Sequence, residues 1–229
     1  PVSPQLIAVA ATPGGWGSID ATDGYAYVAA HELSSGVLHI LDVRDPRAPL
    51  LMSTIATGDR ALDVAVDAGL AYVATDKDGL KVIDVRDPAT PFIIGSVDTP
   101  GRASQVAVDR GFAYVADSSS GLQIIDVRDP AAPGITSSID TPGSALSVAV
   151  NAKFAYVGGR ALSVVDVSDP DTPLIHTSLT IPDGTCYGVS VAAGFSFVRY
   201  DGPWLDGVHA IDVRDIDSAA LLSSTEISS

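Results

Sequence analysis

The chain has 229 residues, of which 46% are apolar, and a formal net charge of −15 at pH 7. That apolar fraction excludes a disordered chain, and the negative charge argues against nucleic acid or an anionic membrane as a partner. No apolar run reaches the ~18 residues that a membrane helix needs, and the single cysteine, Cys186, excludes a disulfide framework and any cysteine-based zinc site.

The first predicted element is an outer strand over residues 6–11, which follows Pro1 and Pro4. After it, two sequence markers recur in constant phase. One is an Ile-Asp-Val-type motif whose aspartates lie 40 to 46 residues apart, at Asp42, Asp84, Asp126, Asp166 and Asp212. The other is an Ala-Tyr-Val motif whose aromatic residues are Tyr27, Tyr72, Tyr114, Tyr156 and Phe197. Two markers in phase over five copies identify an internal repeat.

Each copy contains four short apolar runs, as residues 62–97 illustrate. The runs are 62–66, 71–74, 80–85 and 92–97, and each is closed by Gly, Pro or Asp. Four strands in a period of this length are typical of a β-propeller blade. We name the strands A to D from the axis outward, because the small residues of the first run suit a crowded axis and the proline-flanked last run suits an edge.

The sequence therefore predicts an all-β fold, with one β-propeller domain over residues 1–229 made of five blades of four antiparallel strands. The predicted blades are approximately 16–56, 61–98, 103–140, 145–181, and 186–215 plus 5–11. The linker before the C-terminal run 221–227 has lost both prolines, whereas Pro1 and Pro4 match Pro88 and Pro91. We therefore predict that the N-terminal strand completes blade five and closes the ring. The alternative is a piece of a longer array with more blades before it.

Two segments carry a resemblance to a known family. Leu80-Lys81-Val82-Ile83-Asp84-Val85 and Leu122-Gln123-Ile124-Ile125-Asp126-Val127, with Ala-Tyr-Val-Ala upstream, resemble the LVIVD repeat of bacterial and archaeal surface proteins. The resemblance runs from about Pro4 to Ser223. It implies a β-propeller in an exported or cell-surface protein, and it implies no activity, since the family shares no catalytic residues. The Lys-poor, acidic composition and the start without Met also favour an exported protein.

The acidic residues do not predict an active site. Asp84 can pair with Arg86 two residues later, on the same strand face, and the aspartates before proline can cap the C–D turns. At the axis Asp20 is the one carboxylate at its level, with Asp63 near the entrance, which is too few for a propeller glycosidase or a good calcium site. We predict no enzyme activity, no metal and no cofactor; the alternative is a carbohydrate-binding or carbohydrate-active propeller.

The D–A and B–C loops of a propeller share one face, which we call the loop face. Trp, Tyr and Arg are enriched in binding hot spots, and the long B–C loops belong to blades one and five. The predicted binding residues are Trp16, His31, Glu32, Arg60, Arg102, Arg160, Tyr187, Arg199, Tyr200, Asp201 and Trp204. We predict a protein partner, with a glycan as the alternative. For Trp16 and Trp204 the alternative role is to fill the ring seam.

Overall fold

The computed structural model describes residues 6–32, 35–181, 184–201, 206–214, 216 and 220–227. In this part of the chain the regular structure is β-strand, which confirms the all-β prediction. No helix in the described ranges is long and apolar enough to cross a bilayer.

The strands form four-stranded antiparallel sheets, each paired in chain order. Sheet I contains β1 (Gly15–Thr22), β2 (Tyr25–Glu32), β3 (Ser35–Asp42) and β4 (Leu50–Gly58). Sheet II contains β5 (Ala61–Asp67), β6 (Leu70–Thr75), β7 (Gly79–Asp84) and β8 (Phe92–Val97). Sheet III contains β9 (Gln105–Asp109), β10 (Phe112–Ala116), β11 (Leu122–Asp126) and β12 (Gly134–Ile139).

The two remaining sheets repeat the same pattern. Sheet IV contains β13 (Ser147–Asn151), β14 (Phe154–Gly158), β15 (Ala161–Asp166) and β16 (Leu174–Thr180). Sheet V contains β17 (Thr185–Ala192), β18 (Phe195–Asp201), β19 (Asp206–Asp212) and β20 (Ala220–Ile227). The innermost strands β1, β5, β9, β13 and β17 contact one another in succession, which is a propeller-like arrangement.

The hydrophobic core lies between successive sheets. Because side chains alternate across a strand, each sheet has one face toward the preceding sheet and one toward the next. At the first junction Tyr27 and Leu38 of sheet I pack against Val73 and Ile83 of sheet II. Equivalent clusters fill the II–III, III–IV and IV–V junctions. Sheets II, III and IV therefore bury apolar side chains on both of their faces.

The predicted role of the N-terminal strand is wrong. Residues 6–13 form no strand, and β20 completes sheet V by pairing with β19 from Asp206↔Ile227 to Asp212↔Ala220. The reason is connectivity: β20 follows β19 after a short link and needs no long return of the chain. The loss of the two linker prolines does not prevent this pairing.

Among the residues that the structure describes, sheets I and V do not close on each other, so the predicted closed ring is not found. Ile19 of sheet I is 65% exposed, whereas its equivalents Val64, Val106, Val148 and Val189 are at most 9% exposed. Phe197 of sheet V is 43% exposed, whereas the equivalent tyrosines are at most 4% exposed. The side chains that would meet across a seam therefore remain open on both sides.

Candidate functional site

The inner strands are joined by side chains that accept backbone N–H groups of the next sheet. Ser18 Oγ accepts from Val64 N (3.1 Å), and Asp63 Oδ2 accepts from Val106 N (2.9 Å). Gln105 Oε1 takes the same position in sheet III and accepts from Val148 N (2.8 Å). These polar side chains hold the sheets together near the axis.

The two axial carboxylates belong to this structural ladder. Asp20 Oδ2 accepts from Val66 N at 2.8 Å. Burial raises the pKa of Asp63 to about 6, and the nearby Asp20 adds to the rise, while bonds from Ser18 and two backbone N–H groups oppose it. Both carboxylates accept hydrogen bonds from the neighbouring strand and so help to join the sheets.

The repeated aspartates pair with arginine as predicted. Asp84 accepts from Arg86 Nε at 3.0 Å, and the same geometry recurs at Asp42–Arg44, Asp126–Arg128 and Asp212–Arg214. The hydrogen bond from the guanidinium lowers the pKa of Asp42, Asp126 and Asp212 to about 2. The aspartates before proline cap the C–D turns, as when Asp87 Oδ1 accepts from Ala89 N (3.1 Å). All of these carboxylates therefore have structural roles.

On the loop face, the structure brings three predicted residues into one chain of contacts. Arg60 Nη2 lies 3.2 Å from His31 Nε2, and Arg60 Nη1 lies 3.6 Å from Asp76 Oδ2. Arg102 Nε lies 2.5 Å from Asp76 Oδ1. This His31–Arg60–Asp76–Arg102 network joins sheets I and II to the loop that leads into sheet III. Sequence reasoning had not selected Asp76 as a site residue, since one aspartate in an acidic chain carries no pattern.

A second carboxylate fixes the same loop. Asp117 is fully buried; its Oδ1 accepts from Thr99 Oγ1 (2.7 Å) and its Oδ2 from Gly101 N (2.8 Å). Burial raises the pKa of this carboxyl, and the two hydrogen bonds oppose the rise. Arg102 therefore extends from a loop whose backbone is held at its base.

The other predicted site residues lie outside this network, and Tyr187, Arg199 and Asp201 lie on the paired strands β17 and β18. Arg160, Tyr187, Arg199 and Asp201 are exposed, and Arg160 packs its stem against Gly143. Tyr200 instead lies in the core at 6% exposure, with its ring stacked on His209 at 4.1 Å, so it is not part of an accessible surface. Trp16 pairs with Ala30 through its backbone, but the side chains of Trp16 and Glu32, and all of Trp204, lie outside the described residues.

Metal-ligating side chains are not clustered in the part of the chain that the structure describes. It contains no group of three or more His, Cys, Asp or Glu side chains that could hold a metal ion. Cys186 is buried, as predicted, and burial raises the pKa of its thiol. His39 is hydrogen-bonded to Thr54 (2.8 Å), which agrees with a packing role.

Comparison with known proteins agrees with this architecture. The model of the LVIVD repeat matches residues 13–57, 58–99, 100–141 and 142–180, more than half of the chain. The crystal structure of the computationally designed Ika8 protein is similar, with a TM-score of 0.66 at 9% identity. The match covers 92% of this chain and 61% of the designed one, so this chain spans less than two thirds of that protein. A comparison with curated proteins gave no match.

Proposed function

The chain belongs to the LVIVD-repeat family, and from that premise we propose that it is a non-catalytic binding or scaffold module of an exported or cell-surface protein. It binds a protein partner through the loop face. The observation that carries this proposal is the His31–Arg60–Asp76–Arg102 network, which holds two arginines side by side at the surface.

The network supports binding because the arginines are held in place and still accessible. The Arg60 and Arg102 side chains keep 34% and 52% of their surface exposed, while Asp76 contacts both. Arginine is enriched among the residues that dominate binding energy, and a side chain held in its bound position loses less entropy on association. In a chain with a net charge of −15, two adjacent guanidinium groups favour an acidic segment of the partner.

The absence of catalysis is part of the proposal and rests on how the carboxylates are used. Asp20 and Asp63 accept backbone N–H groups of the next sheet, and the repeated aspartates pair with arginine or cap turns. A glycosidase needs two carboxyl groups that face one bond of the substrate. Turnover of any substrate in a panel of glycosides and esters would contradict this part of the proposal.

The binding test uses paired variants on opposite faces. The Arg60→Ala/Arg102→Ala protein and the Arg44→Ala/Arg128→Ala control each lose two arginines, and the control pair lies at the opposite ends of the strands. Each protein is immobilised and exposed to a surface-protein extract of the source cells after chemical cross-linking. We expect a partner that the wild type and the control retain and the loop-face variant loses. A partner captured equally by all three proteins would exclude the loop face.

A glycan ligand is the second candidate function. It is favoured by Tyr187, which is 47% exposed on β17, because an exposed aromatic ring can stack on a sugar. A glycan array with the wild type and Tyr187→Ala distinguishes the two functions: binding that is lost in the variant supports a lectin-like module. The proposed location is tested separately, by labelling intact source cells with a reagent that does not enter them.

A further inference from the structure

Residues 6–13 lie against sheet I in the way that an outer strand lies at each internal junction. Ala10 packs on Ala26, Val28 and Leu41. At the four internal junctions this contact comes from the outer strand of the preceding sheet, through Ile55, Val97, Ile139 and Leu179. The segment before sheet I thus packs like an outer strand that has lost the rest of its sheet.

The spacing along the chain supports this equivalence. Ala10 precedes Ile19 by nine residues, as Ile55 precedes Val64 and Val97 precedes Val106. The segment is also held by a polar contact, since His39 Nε2 donates to the carbonyl oxygen of Pro13 at 3.2 Å. The position of residues 6–13 therefore follows from the repeat.

The inner part of the same junction is unfilled. A cavity of about 320 Å³ lies beside sheet I and is lined by apolar side chains, among them Ile19, Val28, Leu41 and Val43. The equivalent side chains of sheet II are Val64, Val73, Ile83 and Val85, and they pack on Tyr27, Leu38 and Ile40 of the preceding sheet. The face of sheet I is therefore shaped for the inner strands of another sheet of this repeat.

Sheet V is a poor occupant of that place. Its residue Arg199 stands where Ala29, Ala74, Ala116 and Gly158 stand in the other sheets. At the IV–V junction this position has no room for a larger side chain, because a Cβ on Gly158 would collide with Cys186 and Ser147. Gly188 lacks the side-chain acceptor that Ser18, Asp63 and Gln105 provide to the next sheet.

The outer strands give a further reason why sheet V is a poor occupant of the place before sheet I. Sheet V already has its outer strand, β20, and residues 6–13 already fill the outer position before sheet I. Closure by sheet V would bring two outer strands to one position. The unit that fills the cavity beside sheet I must therefore have three strands and lack an outer strand.

We propose that sheet I is preceded by a further sheet of the same repeat, whose outer strand is residues 6–11 and whose three inner strands come directly before Pro1. The direct connection is argued from the repeat, in which Pro88 follows the end of β7 by four residues and Pro1 aligns with Pro88.

The test adds the missing strands. A copy of residues 61–87, which contains β5, β6 and β7 and ends at Asp87, is placed directly before Pro1, so that an Asp-Pro linker is restored. We expect backbone amides of residues 6–11 and of β1 to exchange hydrogen at least about tenfold more slowly than in the unextended chain. The midpoint of thermal unfolding should rise by about 4 °C or more.

The matched control carries the same extension with Tyr72→Asp and Val82→Asp in the added copy, because both side chains face the next sheet. It should behave like the unextended chain. Equal exchange and melting in the extended protein and this control would overturn the proposal.

A second experiment tests the other occupants in the unextended chain. Alignment with Gly95, which pairs with Val82, places Ala8 opposite Ala210 if residues 6–11 pair with β19. A disulfide between Ala8→Cys and Ala210→Cys within one chain would show closure in which residues 6–11 replace β20 on sheet V, and sedimentation as a dimer would show that a second copy fills the place. Either result would overturn the proposal, and a monomer without the cross-link supports it.

Discussion

Lys153 and Ser168 of sheet IV replace a glycine and an arginine that contact each other in the other four sheets. In those sheets the glycine of the A–B turn has a positive φ and the arginine stem lies over it; a Cβ on Gly111 would be 2.6 Å from Arg128 Cγ. The Arg128 guanidinium also lies 5.1 Å from the centre of the Phe112 ring. In sheet IV the Lys153 ammonium lies 4.9 Å from the Phe154 ring instead. The cation over the ring is kept, but it comes from the turn.

This relationship predicts a strong coupling between the two positions. Ser168→Arg alone should destabilise the protein by about 0.5–1 kcal/mol, because the arginine stem and the Lys153 side chain need the same space and both are exposed enough to move partly aside. Lys153→Gly/Ser168→Arg should recover most of that loss, because it restores the arrangement of the other sheets. Urea unfolding of the two single variants and the double variant measures the coupling, which we expect at ~0.5 kcal/mol or more. Additive effects would show that the two residues do not compete.

Asp76 is the acceptor that orders the loop-face network. Asp76→Asn should lower the free energy of unfolding by about 1 kcal/mol or less, because the arginines it contacts stay partly solvated. If the proposed function is correct, binding of the partner should weaken by more than this change in stability accounts for. Asp78→Asn is the control, since Asp78 contacts Lys81 at 3.6 Å and lies outside the network. Equal binding by both variants would separate the network from recognition.

The sequence predicts the repeated parts of the fold because each copy contains the same short signals. The turn residues and the apolar alternation are local and appear in sheets I to IV and largely in sheet V, and the Asp-Arg pair appears in sheets I, II, III and V. The end of the array is harder to predict from the sequence. Arg199 and Gly188 are single departures from the repeat, and their effect depends on what lies across the junction. The choice between residues 6–11 and β20 as the last strand likewise depends on competition for one edge, which strand patterns alone do not decide.

The candidate site was less predictable for a similar reason. His31, Arg60 and Arg102 were predicted to share the loop face, but the contact that unites them comes from Asp76, on a loop between two strands of sheet II. Tyr200 follows the exposed Arg199 in β18, and strand alternation turns it into the core. Asp63 was predicted to lie near the entrance to the propeller axis. Its hydrogen bond to the neighbouring sheet depends on the spacing between the inner strands.

Cys186 should be inert in the folded protein. Its side chain is fully buried, and burial raises the pKa of the thiol, so the reactive thiolate is scarce at neutral pH. We expect the thiol reagent DTNB to react at the rate of unfolding and to react at once in denaturant. A native protein that reacts within seconds would place Cys186 in an accessible site. Cys186→Ser tests the packing separately and should cost ~1–2 kcal/mol, because it exchanges a thiol for a more polar hydroxyl in an apolar cluster.

The raised pKa of Asp63 should make the folded protein more stable in mild acid than the carboxylates with lowered pKa values alone would make it. Its pKa is about 6 in the folded state, against 3.8 for the free side chain, so its contribution is most favourable below pH 4 and is lost as the pH rises through 6. Asp42, Asp126 and Asp212 act in the opposite direction and at lower pH. Because their pKa values are near 2, their contribution to stability falls only as the pH drops below 4.

The difference in the free energy of unfolding between Asp63→Asn and the wild type isolates the effect of Asp63. We expect the variant to gain about 1–3 kcal/mol on the wild type between pH 4.5 and pH 7.5, because the amide oxygen still accepts from Val106 N and carries no charge. Urea unfolding at the two pH values measures this gain, and Asp42→Asn, whose pKa lies far below both, should show no such change. A difference that is independent of pH would mean that Asp63 keeps an ordinary pKa between the sheets.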